Sequence, residues 1–320
     1  MSLFVSIIVP NYNHSLFLEA RLESIFSQTY QNFELILLDD YSSDNSLEIL
    51  SKYSSHPKVS HFIINTENSG TNYKQWNKGI SLAKGDLIWI AESDDTCNDY
   101  FLEKLVRSFL NEKVQIAYSQ SNSMNSEGEI VGDWYFQTAM MNKPLFDTNF
   151  TMDGINFIDQ FLLQRNVIPN ASGVLFRKTC FDIVNGARED VRYCADWLLW
   201  LHMLSLNGEV YYTAEKLNNF RFHPNSVIAS SSKTSNIPFK KRFDILMRKE
   251  YSKILKELNL LLLLKKQDQI LKKEILEEIL FLSKLKKTRL LLGLVSFRMF
   301  FFHFNVRQKL SFLKQTLFSI

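Results

Sequence analysis

Cysteine is scarce in this chain: Cys97, Cys180 and Cys194 are the only three in 320 residues, odd in number and without a Cys-x-x-Cys pair. That argues against a disulfide framework and against a zinc site, and it fits a reducing cytoplasm. The chain also lacks an uninterrupted apolar run of the about 20 residues that a spanning helix needs. Its most apolar late stretch, Leu290 to Phe304, is broken by Arg298 and His303, so no transmembrane segment is expected. Met1 leads almost at once into a strand-like segment, leaving no room for the charged and apolar regions of a signal peptide. No internal repeat and no clean basic stripe is visible. Arg298 and Arg307 are nine residues apart and fall on opposite helix faces. No recognised nucleic-acid motif is present, so nucleic acid is not an expected partner.

What the chain does have is 46% hydrophobic residues, enough for a real core of one large or two small domains, and a marked charge asymmetry. Residues 1 to 238 carry 18 Lys+Arg against 27 Asp+Glu, a net of −9, and residues 239 to 320 carry 19 against 7, a net of +12. A basic tail of this kind suits an anionic surface, either lipid headgroups or nucleic acid, although a solvated helical face has the same composition.

Periodicity places strands at 3 to 9, 33 to 38, 59 to 64 and 87 to 91, and helices at 15 to 28, 44 to 54 and 72 to 84. Asp44 or Ser43 is the expected cap of the second helix. This βαβαβ alternation predicts a mainly parallel, doubly wound α/β sheet. A helix at 99 to 111 and a strand at 114 to 119 follow, then a loop-rich region to about 150. Helices are expected at 153 to 165 and 190 to 207, with a short strand, Gly173 to Phe176, between them. The serine-rich stretch Ser226 to Pro238 reads as a linker. Beyond it Phe243, Met247, Tyr251, Ile254 and Leu258, then Leu271, Ile275, Ile279 and Leu282, recur at helical steps. Their apolar positions suit packing or homodimerisation.

Three apolar strands stop in polar residues: Val5-Ser6-Ile7-Ile8-Val9-Pro10-Asn11-Tyr12-Asn13, Phe33 to Leu38 followed by Asp39-Asp40-Tyr41-Ser42, and Ile88-Trp89-Ile90-Ala91-Glu92-Ser93-Asp94-Asp95. Open α/β sheets bind ligands outside the carboxyl ends of their strands, so these ends are expected to line one crevice. Paired carboxylates there suit a divalent cation with a phosphate partner.

The order Val-Pro-Asn-Tyr-Asn, Asp-Asp-x-Ser-x-Asp, Asn-x-Gly and Ser-Asp-Asp resembles the family 2 glycosyltransferases of GT-A fold, over roughly residues 3 to 230. The resemblance implies a GT-A-type (Rossmann-like) mainly parallel sheet flanked by helices. A nucleotide-sugar half would lie at about 1 to 120, an acceptor half at about 121 to 230, and a basic α-helical extension at 239 to 320. It implies an inverting, metal-dependent enzyme that moves a sugar from a nucleotide-diphosphate donor, a UDP-sugar in this reading, to a hydroxyl of a growing glycan such as bacterial envelope polysaccharide.

Residue by residue, the resemblance puts Pro10, Tyr12 and Asp40 in the nucleotide-base pocket, where Tyr12 offers an aromatic face and Asp40 can accept from a uracil N–H. It puts Asp94 at the ribose and metal, and Asp95 as direct ligand of Mn2+ or Mg2+, with His223 reaching the diphosphate or metal. Glu92 stands where the family often has Asp. Asp196 in Cys194-Ala195-Asp196-Trp197 matches the catalytic base, although Ala195 replaces a common Glu and Glu189 and Asp190 are next in line. Asn170 and Ser172 match an acceptor-side loop, while Lys74, Asn77 and Lys78 lie on a helix facing the crevice. The expected partners are therefore a nucleotide-sugar donor and a glycan or lipid-linked glycan acceptor, with cytoplasmic localisation and peripheral contact of the tail with anionic membrane. Two other classes stay in view: a catalytically degenerate nucleotide-sugar-binding module, and a sugar nucleotidyltransferase, which would want a glycine-rich loop where this chain has Pro10-Asn11-Tyr12-Asn13.

Overall fold

The computed structural model describes residues 2–134, 138, 144–190, 194–224 and 237–284, and the chain divides into two compact units, Met1–Lys233 and Thr234–Ile320. In the first unit, strands β1 (Val5–Asn11) and β2 (Phe33–Asp39) are buried at every position. Continuous apolar runs of this kind belong to parallel strands covered on both faces. With β3 (Val59–Ile64) and β4 (Leu87–Ile90) they form the parallel order β3-β2-β1-β4. The register sets Asn11 opposite Asp39 and Ile8 opposite Ile90, so the polar residues that end these strands emerge at one edge.

Helices α1 (Ser15–Phe26), α2 (Ser46–Tyr53) and α3 (Asn72–Leu82) make the crossovers. α3 lies unusually close to the sheet, because a Cβ at Gly79 would collide with Ile8 and meet Leu38 Cδ1 at 3.0 Å. The expected capping of α2 is shared rather than local. Asn45 is the cap residue, while Asp44 accepts from the backbone N–H of Ser46 at 3.0 Å and from that of Ser15 at 2.9 Å, tying the starts of α1 and α2 together.

The remainder of the unit extends the sheet with mixed pairing. Its elements are β5 (Thr96–Cys97), α4 (Phe101–Ser108), β6 (Val114–Met124), β7 (Ile130–Asp133), β8 (Phe150–Asp153), α5 (Gly154–Phe157), β9 (Val174–Arg177), α6 (Lys178–Ile183), α7 (Ala195–Leu204) and β10 (Glu209–Arg221). The order runs on from β4 as β9-β6-β10-β5, with β7 on β6 and β8 on β10. β9 is antiparallel to both β4 and β6, and β10 is parallel to β6. Sequence reading ends the strand at 119 and expects loops beyond it; the structure continues β6 to Met124 and folds back through β7. The expected helix at 153 to 165 is one α turn followed by a π turn, Ile158–Leu162. β10 was not expected. Its pairing with β6 shifts register between Thr213 and Lys216 and again before Asn218, which erases the alternation that reveals a strand.

The second unit is an antiparallel helical pair, α8 (Ile237–Glu257) and α9 (Leu261–Lys284). Met247, Tyr251 and Leu255 of α8 are buried with Leu263, Leu271 and Ile275 of α9. The expected inward residue Leu258 is exposed instead, since it lies past the last turn of α8. Buried Arg248 donates to Glu274 at 2.7 Å and to Gln267 at 3.1 Å, fixing the pairing. Among the described residues no helix is long and apolar enough to cross a membrane. The stretch Leu290 to Phe304 and most of the linker Ser226 to Pro238 lie outside the described residues.

Candidate active site

The three strand ends do meet. Asn11 donates to Asp39 Oδ1 at 2.9 Å and to Ser42 Oγ at 3.2 Å, and Ser42 Oγ also accepts from the backbone N–H of Asn13. Asn13 and Tyr41 both take left-handed backbone, φ 56° and 66°. Non-glycine residues rarely hold that conformation, and when they do it is often at ligand-binding loops.

After β4 the chain turns through Glu92-Ser93-Asp94-Asp95, and Asp94 faces two imidazoles. His223 Nε2 lies 3.1 Å from Asp94 Oδ2, and His14, at the start of α1, places Nδ1 2.8 Å from Ser93 Oγ. One ligand atom from each of His14, Asp94 and His223 fits within a 4.8 Å cluster. Burial opposes ionisation of Asp94, but the hydrogen bond from His223 and the nearby charges of His14 and His223 outweigh it and hold the carboxyl below its ordinary range. Burial lowers the His14 pKa, with Asp94 opposing and His223 assisting. An ionised carboxylate beside a neutral imidazole is what a divalent cation requires of its ligands. The Ser93 hydroxyl on His14 is the kind of outer partner that orients a ligating ring. The residues therefore fit a divalent metal, and two imidazoles with one carboxylate suit manganese better than magnesium.

Asp95 was the expected direct ligand, and the structure places it elsewhere. It is buried beneath the turn, its Oδ1 accepting from the backbone N–H of Arg221 at 2.9 Å and its Oδ2 lying 4.0 Å from the buried Arg21 guanidinium. Burial and the neighbouring Asp94 push its pKa up. Arg221 reciprocates: Nε donates to the Asp94 carbonyl at 2.7 Å, Nη1 to the carbonyls of Asn125 and Ser126, and the guanidinium covers the Phe17 ring at 4.7 Å. Phe17 also meets His223, the ring centroids 4.9 Å apart. Asp95 thus positions the end of β10 that carries His223.

Asp40 also departs from its expected role. Its Oδ1 accepts from Asn65 at 2.6 Å, the Ser69 N–H at 2.9 Å and Gln75 at 2.8 Å, and its Oδ2 accepts from Asn68 at 3.2 Å and the Ser69 hydroxyl at 2.8 Å. A carboxylate offers about four acceptor sites, so five protein donors leave none for a nucleobase. Asp40 organises the loop 65–70 instead. Pro10 is buried within β1, while Tyr12 is 47% exposed beyond it and free to present a ring face.

The first turn of α3 connects the remaining carboxylates. Asn72 and Trp76 Nε1 donate to Glu92 Oε1 at 3.2 and 2.8 Å, Gln75 reaches Asp40, and Tyr73 OH donates to Asp196 Oδ1 at 3.5 Å. Burial and then Asp94 push Glu92 up to about 8, so this departure from the family's Asp is held by two donors from one helical turn. Asp196 is half-buried in the first turn of α7, two residues after the cap residue Cys194, whose φ of 64° is left-handed. Asn166 donates to Asp196 Oδ2 at 3.2 Å. Burial raises the Asp196 pKa, and the N–H groups of Trp197 and Asp196 with the bonds from Tyr73 and Asn166 offset only part of that rise. A carboxylate oriented by two side chains and made more basic by burial has the character of a general base.

The acceptor-side pair is structural. Ser172 is fully buried, its carbonyl accepting from Trp89 Nε1 at 2.8 Å and its hydroxyl from the Glu92 N–H at 3.2 Å. Asn170 is buried between Ser121 and Asn218 and caps the turn at Gly173. Asn77 clasps Ala187 and Glu189, and Lys78 reaches Asn65, which accounts for both without a ligand. Glu189 and Asp190 are exposed, Asp190 pairing with Arg188 at 2.6 Å. His14, Tyr73 and Asn166 were not singled out from sequence. His14 had a local signal, as the residue between the polar end of β1 and the next helix; Tyr73 and Asn166 had none.

The family model described as glycosyl transferase family 2 matches residues 6–166, half of the chain. Glycosyltransferase GlyG of Streptococcus pneumoniae is 36% identical over 136 residues, 42% of this chain and 44% of that protein. The putative teichuronic acid biosynthesis glycosyltransferase TuaG of Bacillus subtilis is 23% identical over 231 residues, 72% of this chain and 84% of that protein. The chain spans less than half the length of GlyG, and 31% of Glycosyltransferase GlyA from the same organism. Among solved structures, S. aureus TarS 1-349 in complex with UDP-GlcNAc is similar in fold, with a TM-score of 0.60 at 18% identity over 80% of this chain and 71% of that one. The same protein in complex with UDP gives a TM-score of 0.56 at 17% identity, over 80% of this chain and 70% of that one.

Proposed function

The chain belongs to glycosyl transferase family 2, and from that premise we propose that it transfers a sugar, with inversion at the anomeric carbon, from a UDP-sugar to a hydroxyl of an envelope polysaccharide or its lipid-linked precursor. The observation that carries the reading is the convergence of His14, Asp94 and His223 at the carboxyl edge of a sheet whose neighbouring loop is tied, through α3, to Asp196. The UDP and UDP-GlcNAc bound to TarS support a uridine donor, and the teichuronic acid assignment of TuaG supports a polysaccharide acceptor.

In this mechanism His14, Asp94 and His223 would hold a divalent cation, manganese by the chemistry of the set. When bound, it supplies Lewis-acid stabilisation of the charge that develops on the departing diphosphate. Tyr12 presents its ring to the base. Asp95 and Arg221 keep His223 in place. The acceptor oxygen bonds to the anomeric carbon as the bond from that carbon to the phosphate oxygen breaks, and the nucleoside diphosphate leaves with the electron pair. Asp196 takes the proton of the attacking hydroxyl, oriented for it by Tyr73 and Asn166.

A screen of nucleotide-sugars for slow hydrolysis, with manganese and with chelator, tests this. Release of UDP from one UDP-sugar, dependent on metal, is the expected result. Turnover that is indifferent to chelator, or no release or binding with any UDP-sugar, would overturn the metal or the donor assignment respectively.

A further inference from the structure

In the second unit the turn between α8 and α9 leaves leucines in the open. Leu258 ends the α8 side, and Leu261 and Leu262, 61% and 83% exposed, begin α9. The next leucine, Leu263, is buried and anchors the turn, so the exposed pair is held on a fixed support. Lys265 and Lys266, both exposed, follow four residues after Leu261 and Leu262. Residues four apart share a helix face, and the rise between them is about 6 Å. Helical side chains lean toward the N-terminus, so both lysine stems reach back over the leucines toward the tip.

From this arrangement we infer that the α8–α9 turn is a membrane-docking tip: Leu258, Leu261 and Leu262 enter the acyl boundary while Lys265 and Lys266 meet anionic headgroups. Lys256, at the end of α8, is exposed on the same turn, and the acidic residue there is Glu257. The turn is therefore net positive, within a stretch from 239 to 320 that carries 19 basic and 7 acidic residues. An apolar point flanked by ammonium groups matches a lipid interface, where lysines keep their charge in the headgroups and bury their stems. A second copy of the chain fits less well. An aromatic side chain buries about 150–250 Å² and leucine is smaller, so three leucines fall short of the about 800 Å² per partner of a stable protein interface.

The test is sedimentation of the full chain with phosphatidylcholine vesicles, with and without phosphatidylglycerol, and at rising salt. The expected result is binding that needs phosphatidylglycerol, weakens with salt, and drops more than about tenfold in L261S/L262S, as the loss of two buried leucines implies. Both leucines are exposed, so the variant should melt with the wild type. In a second variant, Leu262→Trp, tryptophan emission should shift to the blue when phosphatidylglycerol vesicles are added. Equal partitioning of wild type and L261S/L262S would overturn the inference. So would a Leu262→Trp spectrum already blue without vesicles, or a concentration-dependent dimer that L261S/L262S abolishes, since either places the tip against protein.

Discussion

Asp95 and Arg221, 126 residues apart in sequence, clasp each other through backbone groups: Asp95 Oδ1 accepts the Arg221 N–H at 2.9 Å, and Arg221 Nε returns a bond at 2.7 Å to the carbonyl of Asp94. The acid turn after β4 and the end of β10 are thereby fixed as one piece, which sets Asp94 against His223. Asp95→Ala would leave Arg21 buried opposite no charge. Breaking a buried pair in this way costs about 3–5 kcal/mol. Urea unfolding should show a loss of that size, whereas a fully stable Asp95→Ala with abolished metal binding would restore Asp95 as the ligand.

Asp40→Ala should also act on stability first. Five donors would lose their acceptor, at about 1–3 kcal/mol for each buried group left unsatisfied, with water and relaxation reducing the total. An unfolding free energy lowered by at least about 3 kcal/mol is expected. A variant of unchanged stability that loses only uridine-nucleotide affinity would return Asp40 to the base pocket.

Asp196→Asn should retain donor binding and lose transfer by about two to four orders of magnitude, the range for a removed general base. Asparagine keeps the size of the side chain and one of the two acceptor oxygens that Tyr73 and Asn166 use. Donor affinity and single-turnover transfer on one preparation check this. Near-normal transfer would move the base to another group.

The pH dependence of transfer carries a sign that follows from the same site. A base works ionised, so kcat/KM should rise with pH through the Asp196 pKa, which burial raises and Asn166 pulls back down. Asn166→Ala removes a donor to the charged form, so the acid limb should move to higher pH. Tyr73 is the titratable group in contact with this carboxylate, and burial pushes its own pKa further up, so the acid limb does not come from its hydroxyl. A limb that stays put, or moves to lower pH, would separate Asn166 from the base.

The parallel half of the fold was legible because β1 and β2 are buried on both faces and write themselves as unbroken apolar runs ending in Asn11 and Asp39. The meeting of those ends through Asn11, Asp39 and Ser42 followed from the same pattern. β10 was not legible, since its shifts of register at Thr213 and Lys216 hide its period, and the antiparallel insertion of β9 between β4 and β6 depends on contacts remote in sequence. Motif reading singled out the acid turn after β4 but not the direction in which each carboxylate faces. Asp94 opens toward His14 and His223, while its neighbour Asp95 turns inward to Arg221. Asp40 likewise shows a binding-type residue whose acceptor sites are filled by a loop that sequence alone leaves unfolded around it.

The most direct measurement is manganese titration in the presence of UDP, by calorimetry or by the electron paramagnetic resonance of the free ion, on the wild type, Asp94→Asn and His223→Ala. The account predicts one tight site in the wild type. It predicts a loss of affinity of about 100-fold or more in Asp94→Asn and a loss of at least about tenfold in His223→Ala, with melting temperatures close to the wild type. Wild-type manganese affinity in a folded Asp94→Asn would contradict it.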